Sequence, residues 1–268
     1  MRGLVGLCLI SACGFSTGTP NGNSGDDVVA PDASTDAAPE IDGAVVPVNL
    51  PLYAASHQML YEIDLDLKTS KSVGPIKPAG LSSVDVDGLA LFGQQLIGIS
   101  DGGDSLLKID RLTGTITSTV PLTPAGTWAG LTVIPAGDLE ATPVVLAGTP
   151  SDGKLYRIDP DTGAVTMIGP FTSGYTFFTD LAWVHGSGLY ATLTSGNCAS
   201  VCFAKINPTT GTAVAFRTTL GTNLYGMSGY RDRLWAFNNA GPVLSVDRTT
   251  GVMAIELDPQ IAWTEAAQ

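Results

Sequence analysis

Three acids in this 268-residue chain stand in strand-like apolar runs: Asp87 in DGLALF, Asp180 in TDLAWV and Glu265 at the end of IAWTE. Carboxylates on neighbouring strands could cleave glycosides, a reaction that needs two of them at a set separation, one as acid and one as base or nucleophile. Asp87 and Asp180 enter near the start of their runs. Glu265 lies several residues further along its own, which places it about 10 Å or more deeper at ~3.3 Å per residue. Acids at different depths do not make a catalytic ring, so a hydrolase acting on sugars or lactones would rest on Asp87 and Asp180 alone. The two histidines, His57 and His185, have no Ser or Cys beside them to form a nucleophilic pair. Asp101 and Asp104, in DGGD, offer oxygen ligands to Ca²⁺ but lack the closing Glu of a calcium loop. No metal and no cofactor is expected.

The elements that would position these residues are announced by a recurring turn. Five segments end on Ile or Val followed by Asp or Asn: YEID (61–64), LKID (107–110), YRID (156–159), AKIN (204–207) and LSVD (244–247). The last four run on to Thr-Gly, at Gly114, Gly163, Gly211 and Gly251, with spacings of 49, 48 and 40 residues. A period in that range means a solenoid, a propeller or a repeat array. Asp or Asn at the strand end accepts N–H bonds from the turn, and Gly relaxes at positive φ. The first copy, Asp64 to Ser70, has no Gly and reads as a longer, looser turn.

Each repeat divides into four short strands rich in β-branched and aromatic residues, with Gly, Pro, Asp or Asn at most turns. The N-terminal repeat has only three: 52–56 (LYAAS), 59–64 (MLYEID) and 72–76 (SVGPI). Its missing first strand is expected at 261–265 (IAWTE), with Ala262-Trp263-Thr264 aligned on Gly130-Leu131-Thr132 and Gly226-Met227-Ser228. A ring closed by pairing the chain ends predicts that split, whereas an open solenoid needs a cap at each end. The expectation is an all-β, five-bladed β-propeller over 50–268, with about 44 residues per blade. Residues 50–268 resemble extracellular bacterial β-propeller proteins built from L-Y-x-I-D-x-x-T-G-x-x-T repeats, and that resemblance implies the fold rather than an activity.

Composition agrees. There are 32 Gly and 17 Pro, and only 14% of residues are charged. The formal net charge is −12, of which residues 50–268 carry about −7. Such a surface repels a phosphate backbone, so nucleic acid is not an expected partner.

Residues 1–12 read as an export signal: Arg2, a short apolar run over 3–10, then small residues. That run is about half of what a membrane-spanning helix needs. Ile10-Ser11-Ala12-Cys13 resembles a bacterial lipobox. The resemblance covers the first 14 residues. It implies that the Cys13 thiol receives a diacylglyceryl group, becomes the new N-terminus and anchors the chain in the lipid bilayer. Gly14, in place of Asp, implies the outer membrane or cell surface of a bacterial envelope. Residues 13–49 hold the lipidated Cys and then a Gly/Ser/Pro/Asp-rich stretch whose only aromatic is Phe15. It is too poor in apolar surface to fold and reads as a flexible linker, spanning on the order of 30–35 Å. With Cys8 removed and Cys13 acylated, Cys198 and Cys202 remain as a pair in an oxidising setting and are read as a disulfide. Two reduced thiols or a metal site are the alternatives, and two Cys with no nearby His make a poor zinc site.

In a propeller the loops between second and third strands share a face with those joining consecutive blades. By analogy of fold, ligands meet the channel mouth there. That face would carry Asp101, Asp104, Asp152, Asn197, Asn238 and Asn239, with Trp128, Tyr175, Phe177, Phe178 and Tyr225 from the inter-blade loops. The other ends of the strands carry the uniform Thr-Gly turns. Varied loops on a rigid scaffold suit binding, although aromatics also fill a ring and Asn or Asp also serve turns. The expected function is a non-enzymatic binding or interaction module for a glycan or a protein, with the hydrolase as the alternative.

Overall fold

The computed structural model of the protein describes residues 51–150, 152–220 and 223–267. The expected signal peptide, Cys13 and the expected linker lie outside them. The described chain makes five sheets in a ring, antiparallel except where a two-residue strand, Lys77–Pro78, joins the second blade in parallel, and its one helical segment is a single 3-10 turn, Thr172–Gly174.

The chain opens with β1 (Leu52–Ser56), β2 (Met59–Asp64) and β3 (Thr69–Pro75). The second blade holds β4 (Lys77–Pro78), β5 (Val86–Phe92), β6 (Gln95–Ser100), β7 (Ser105–Ile109) and β8 (Thr115–Pro121). The third holds β9 (Ala129–Ile134), β10 (Val144–Gly148), β11 (Lys154–Ile158) and β12 (Val165–Pro170). The fourth holds β13 (Tyr175–Val184), β14 (Gly188–Ser195), β15 (Val201–Ile206) and β16 (Ala213–Leu220). The fifth holds β17 (Leu224–Tyr230), β18 (Arg233–Asn238), β19 (Val243–Val246) and β20 (Met253–Leu257). The first blade is completed by β21 (Glu265–Ala267), which pairs with β1 through Tyr53↔Ala267, Ala54↔Ala266 and Ala55↔Glu265. The ring therefore closes by joining the two ends of the domain, as the three-stranded first repeat predicts.

The closing strand is not where the sequence placed it. It begins at Glu265 rather than ending there. Trp263, which the alignment put inside the strand, is fully buried beside it. Its indole N–H donates to the Gly241 carbonyl at 2.8 Å, and its ring meets Tyr61 and Phe237 edge-on. The large apolar residue is a wedge between the first and fifth blades, and the strand itself is the inconspicuous Glu-Ala-Ala.

The recurring turn is built as expected. Asp110, Asp159 and Asp247 each accept backbone N–H bonds through the side chain from residues two or three further on, at 2.7–3.0 Å. Asn207 does the same for Thr209 and Thr210. The glycines that follow have φ between 68° and 76°. They also let each turn seat on the outer strand of the preceding blade. A Cβ on Gly163 would collide with the Pro121 carbonyl oxygen, and one on Gly211 would meet the Gly169 backbone. The first copy is neither longer nor looser. Asp64 accepts from Asp66 and Leu67 at 2.9 Å, and Lys68 occupies the glycine position at φ 53°. Lys68 reaches Glu256 on the outer strand of the fifth blade at 3.7 Å. The side chain that replaces glycine thus lies across the closing seam.

Candidate functional site

The second strands carry a small residue at one matching level: Ala54, Gly98, Ala147, Ala191 and Ala236. Their partners on the innermost strands are Ala266, Leu89, Leu131, Leu181 and Met227. These pairings fix the depth of every innermost strand. One residue nearer the mouth lie Glu265, Gly88, Gly130, Asp180 and Gly226. Glu265 and Asp180 therefore share one level, and the expectation that Glu265 lies deeper is overturned. That error came from the misplaced strand. In the other three blades the position is Gly, because a Cβ there would press on the neighbouring innermost strand.

Register breaks just at this level. The innermost strands of the second, third, fourth and fifth blades each lose step with their partners, at Val86/Gly88, beside Gly130, at Phe177/Leu181 and at Leu224/Gly226. A bulge leaves its extra residues unpaired and re-aims them. Here these are Asp87, Gly130, the run Phe178-Thr179-Asp180 and Tyr225. In the first blade the innermost strand starts at this level with Glu265. The mouth is thus lined by residues released from the ladders.

Below the mouth the channel narrows to a cavity of about 10 Å³, lined by Leu89, Leu131, Leu181, Met227 and Ala266 among others. That is room for about one water molecule. Asp180 seals the top. It is fully buried, and its carboxylate accepts N–H bonds from Leu131 at 3.3 Å, Leu181 at 2.7 Å and Met227 at 2.6 Å. It ties three blades together. Burial still pushes its pKa well above the ordinary carboxylate value, against the three N–H bonds that lower it. Glu265 is 6% exposed, and its Oε2 is buried with no hydrogen-bond partner. Burial raises its pKa strongly, and the charges of Asp180 and then Asp87 push it further in the same direction. Asp87 is half-buried and accepts from the Gly102 N–H at 3.1 Å. Burial holds its pKa up, opposed by that bond and reinforced by Asp101 and Asp85.

The residues expected on the loop face divide into two groups. Trp128, Tyr175 and Phe177 are buried. Trp128 donates to the Pro124 carbonyl at 3.3 Å and meets Tyr156 edge-on, and Phe177 stacks on Phe171. These rings fill the ring wall and offer little surface. Tyr225 is 40% exposed and tilts against the half-buried Phe178 across the seam between the fourth and fifth blades. Asp101 is exposed. Asp104 accepts from the Ser100 hydroxyl at 2.8 Å. Asp152 pairs with Lys154 at 3.0 Å and accepts from the Tyr156 hydroxyl; burial and that carboxylate push the tyrosine up to about 12. Asn238 accepts from the Ala240 N–H at 2.7 Å, which is turn chemistry, and Asn239 donates to the Trp263 carbonyl at 3.1 Å. Asn197 is exposed beside the disulfide that joins Cys198 and Cys202 between β14 and β15. His57 is exposed at the mouth of the first blade, its backbone N–H donating to the Thr264 hydroxyl at 3.2 Å. His185 sits at the other end of the strands on Asp138, and the hydrogen bond between them raises its pKa.

Sequence reading missed the shared level of Asp180 and Glu265, the bulges, and Asp85, whose Oδ1 is buried without a partner. A signal for the first was present. Gly88-Leu89-Ala90, Gly130-Leu131-Thr132, Asp180-Leu181-Ala182, Gly226-Met227-Ser228 and Glu265-Ala266-Ala267 are one pattern, with acids at two of the five glycine positions.

No protein-family model matches the sequence, and no curated protein matches it. Among solved structures, a chain from the crystal structure of a nidogen/laminin complex matches with a TM-score of 0.54 and 12% sequence identity, over 81% of this chain and 97% of that one. At that identity the likeness is one of fold, and it agrees with the propeller architecture.

Proposed function

We propose that this protein is a binding module that presents the bulged mouth of its propeller to a protein partner, from a lipid anchor in the bacterial cell envelope. One observation carries the binding reading: four innermost strands leave register at a single level around a sealed channel, and the residues so released differ from blade to blade, with Tyr225 reaching solvent. Regular pairing would be more stable, so breaking it at one level points to a surface shaped for contact. A protein partner is favoured over a glycan because the matched solved chain belongs to a protein–protein complex.

A hydrolase working through Asp87 and Asp180 would need both carboxylates at its substrate. Asp180 is fully buried and held by three backbone N–H groups, above a cavity with room for about one water. The anchor is supported by the lipobox-like ISAC at residues 10–13, and an oxidising location by the Cys198–Cys202 disulfide.

The test is a screen of the protein against protein ligands and a glycan array, repeated with Tyr225→Ala/Phe178→Ala and with the control Leu112→Ala, which alters an exposed residue of a Thr-Gly turn. Ligand binding lost in the double variant and kept in the control is expected. Binding indifferent to the double variant, or turnover of glycoside or lactone substrates that Asp87→Asn abolishes, would end the reading. Labelling with a fatty-acid analogue checks the anchor, and a Cys13→Ser chain that still takes label would refute it.

A further inference from the structure

Among the described residues three buried carboxylate oxygens have no hydrogen-bond partner: Oε2 of Glu265, Oδ1 of Asp85 and Oδ1 of Asp152. Of these residues only Asp152 already has a cation, Lys154, on its other oxygen. Leaving a buried acceptor unpaired costs about 1–3 kcal/mol, and native structures keep few such atoms without a reason. The half-buried Asp87 repels the Asp85 and Glu265 carboxylates, and Asp101 adds a further negative charge beside it. Lys or Arg side chains pair with Asp66, Glu140, Asp152, Asp161 and Glu256, and His185, when protonated, with Asp138. Among the described residues, no ion pair involves Asp85, Asp87, Asp101 or Glu265. The acids of the mouth are therefore left without an opposite charge beside them. The exposed Tyr225 stands at the same level, on the bulge of the fifth blade.

We infer that the mouth receives a basic side chain, an arginine or lysine of the protein partner, which inserts toward Asp87 and Glu265 against the face of Tyr225. Such a group brings several N–H donors to oxygens that lack them. Its charge is attracted by the unpaired acids and by the face of the tyrosine ring. A bare divalent ion fits less well, because among the described residues no three acids converge as metal ligands would. The inference rests on the binding reading above and names the chemistry that the partner must offer.

The probes are arginine amide and lysine amide, with citrulline amide as the uncharged match, all three acetylated at the α-amino group so that only the side-chain charge differs, and calcium chloride as the metal arm. The readout is the thermal unfolding midpoint of the whole protein. At probe concentrations well above the dissociation constant, the cationic amides are expected to raise the midpoint by about 2–4 °C. Citrulline amide should leave it unmoved. Asp87→Asn, at a half-buried site, should fold and should lose most of the response, and Tyr225→Leu part of it. Citrulline amide acting as strongly as arginine amide would overturn the inference. So would an Asp87→Asn protein that responds like the wild type, a response to calcium alone, or no response to any probe. If the amides have no effect while partner binding still depends on Tyr225 and Phe178, the cation inference falls and the binding reading stands.

Discussion

The Thr-Gly turns and the mouth bulges lie at opposite ends of the same strands, and they are made by different rules. At the turns one local solution is repeated: a side-chain oxygen gathers two N–H groups, and a left-handed residue brings the turn against the blade before it. At the mouth the register breaks in four blades with different residues each time. The turns must each fit a neighbour of the same shape, so their sequences are held alike. At the mouth the innermost strands still press on one another, but the residues released by the bulges differ from blade to blade, and among them Tyr225 reaches solvent. The exception inside the mouth is Asp180, which does for three blades what a turn acid does for one.

That difference is most sharply tested at Asp180. Asp180→Ala removes the acceptor for three buried N–H groups and leaves a void at the top of a narrow channel. A loss of about 4 kcal/mol is expected in chemical denaturation. A loss below about 1 kcal/mol would mean that the mouth acids do not hold the ring together.

The next effect belongs to the turns. Gly163→Ala adds a Cβ against the Pro121 carbonyl at a φ of 72°. Strain and collision together should cost about 3 kcal/mol. Gly102, in a mouth loop at φ 87°, has open space around its Cβ position. Gly102→Ala should cost only the conformational part, about 1 kcal/mol. Equal losses would erase the distinction between fitted turns and free loops.

Much of this contrast could be read from the chain, and the unreadable part has a physical cause. The Asx turn is local, so its residues are fixed by spacing and stand out in sequence. Ring closure was legible because three strands plus a remote fourth leave an arithmetic gap. The closing strand itself was misread because Trp263 and Ile261 look like strand residues, whereas Glu265-Ala266-Ala267 has no β-forming character. What makes it a strand is the free edge of β1, a tertiary fact. The bulges were invisible for the same reason: losing step is a relation between two strands, and neither records it alone. Burial of Trp128 and exposure of Tyr225 likewise depend on which blade stands next to each ring.

Acidity gives a smaller effect, which substitution of Glu265 isolates. Its folded-state pKa is raised above the ordinary 4.5, first by burial and then by Asp180 and Asp87. The stability it contributes is complete below the ordinary carboxylate range and is lost as pH rises through the raised value. The wild-type protein should therefore lose stability above about pH 4.5 at up to ~1.4 kcal/mol per pH unit from this group, until it is ionised. Glu265→Gln, neutral at every pH, should flatten that part of the curve and unfold close to the wild type in acid. A pH profile identical in the two proteins would place the excess charge elsewhere.

The smallest effect is expected at the seam where the ring closes. Lys68 holds a left-handed conformation that costs a non-glycine residue about 1 kcal/mol. Its ammonium, about 60% exposed, pairs with Glu256 at 3.7 Å. An exposed pair of that length contributes little, between about 0 and 0.5 kcal/mol. Lys68→Gly gives the first turn the residue that the other four use, relieving strain, but it frees the unfolded backbone and removes the pair. These terms nearly cancel, and the unfolding free energy should move by less than about 1 kcal/mol in either direction. The informative comparison is with salt. If the Lys68–Glu256 pair matters to closure, the wild type should lose stability relative to Lys68→Gly at low salt less than at high salt, since screening weakens only the protein that has the pair. A gap between the two proteins that is independent of ionic strength would show that the seam is held by β21 and Trp263 alone, with Lys68 there only because the turn tolerates it.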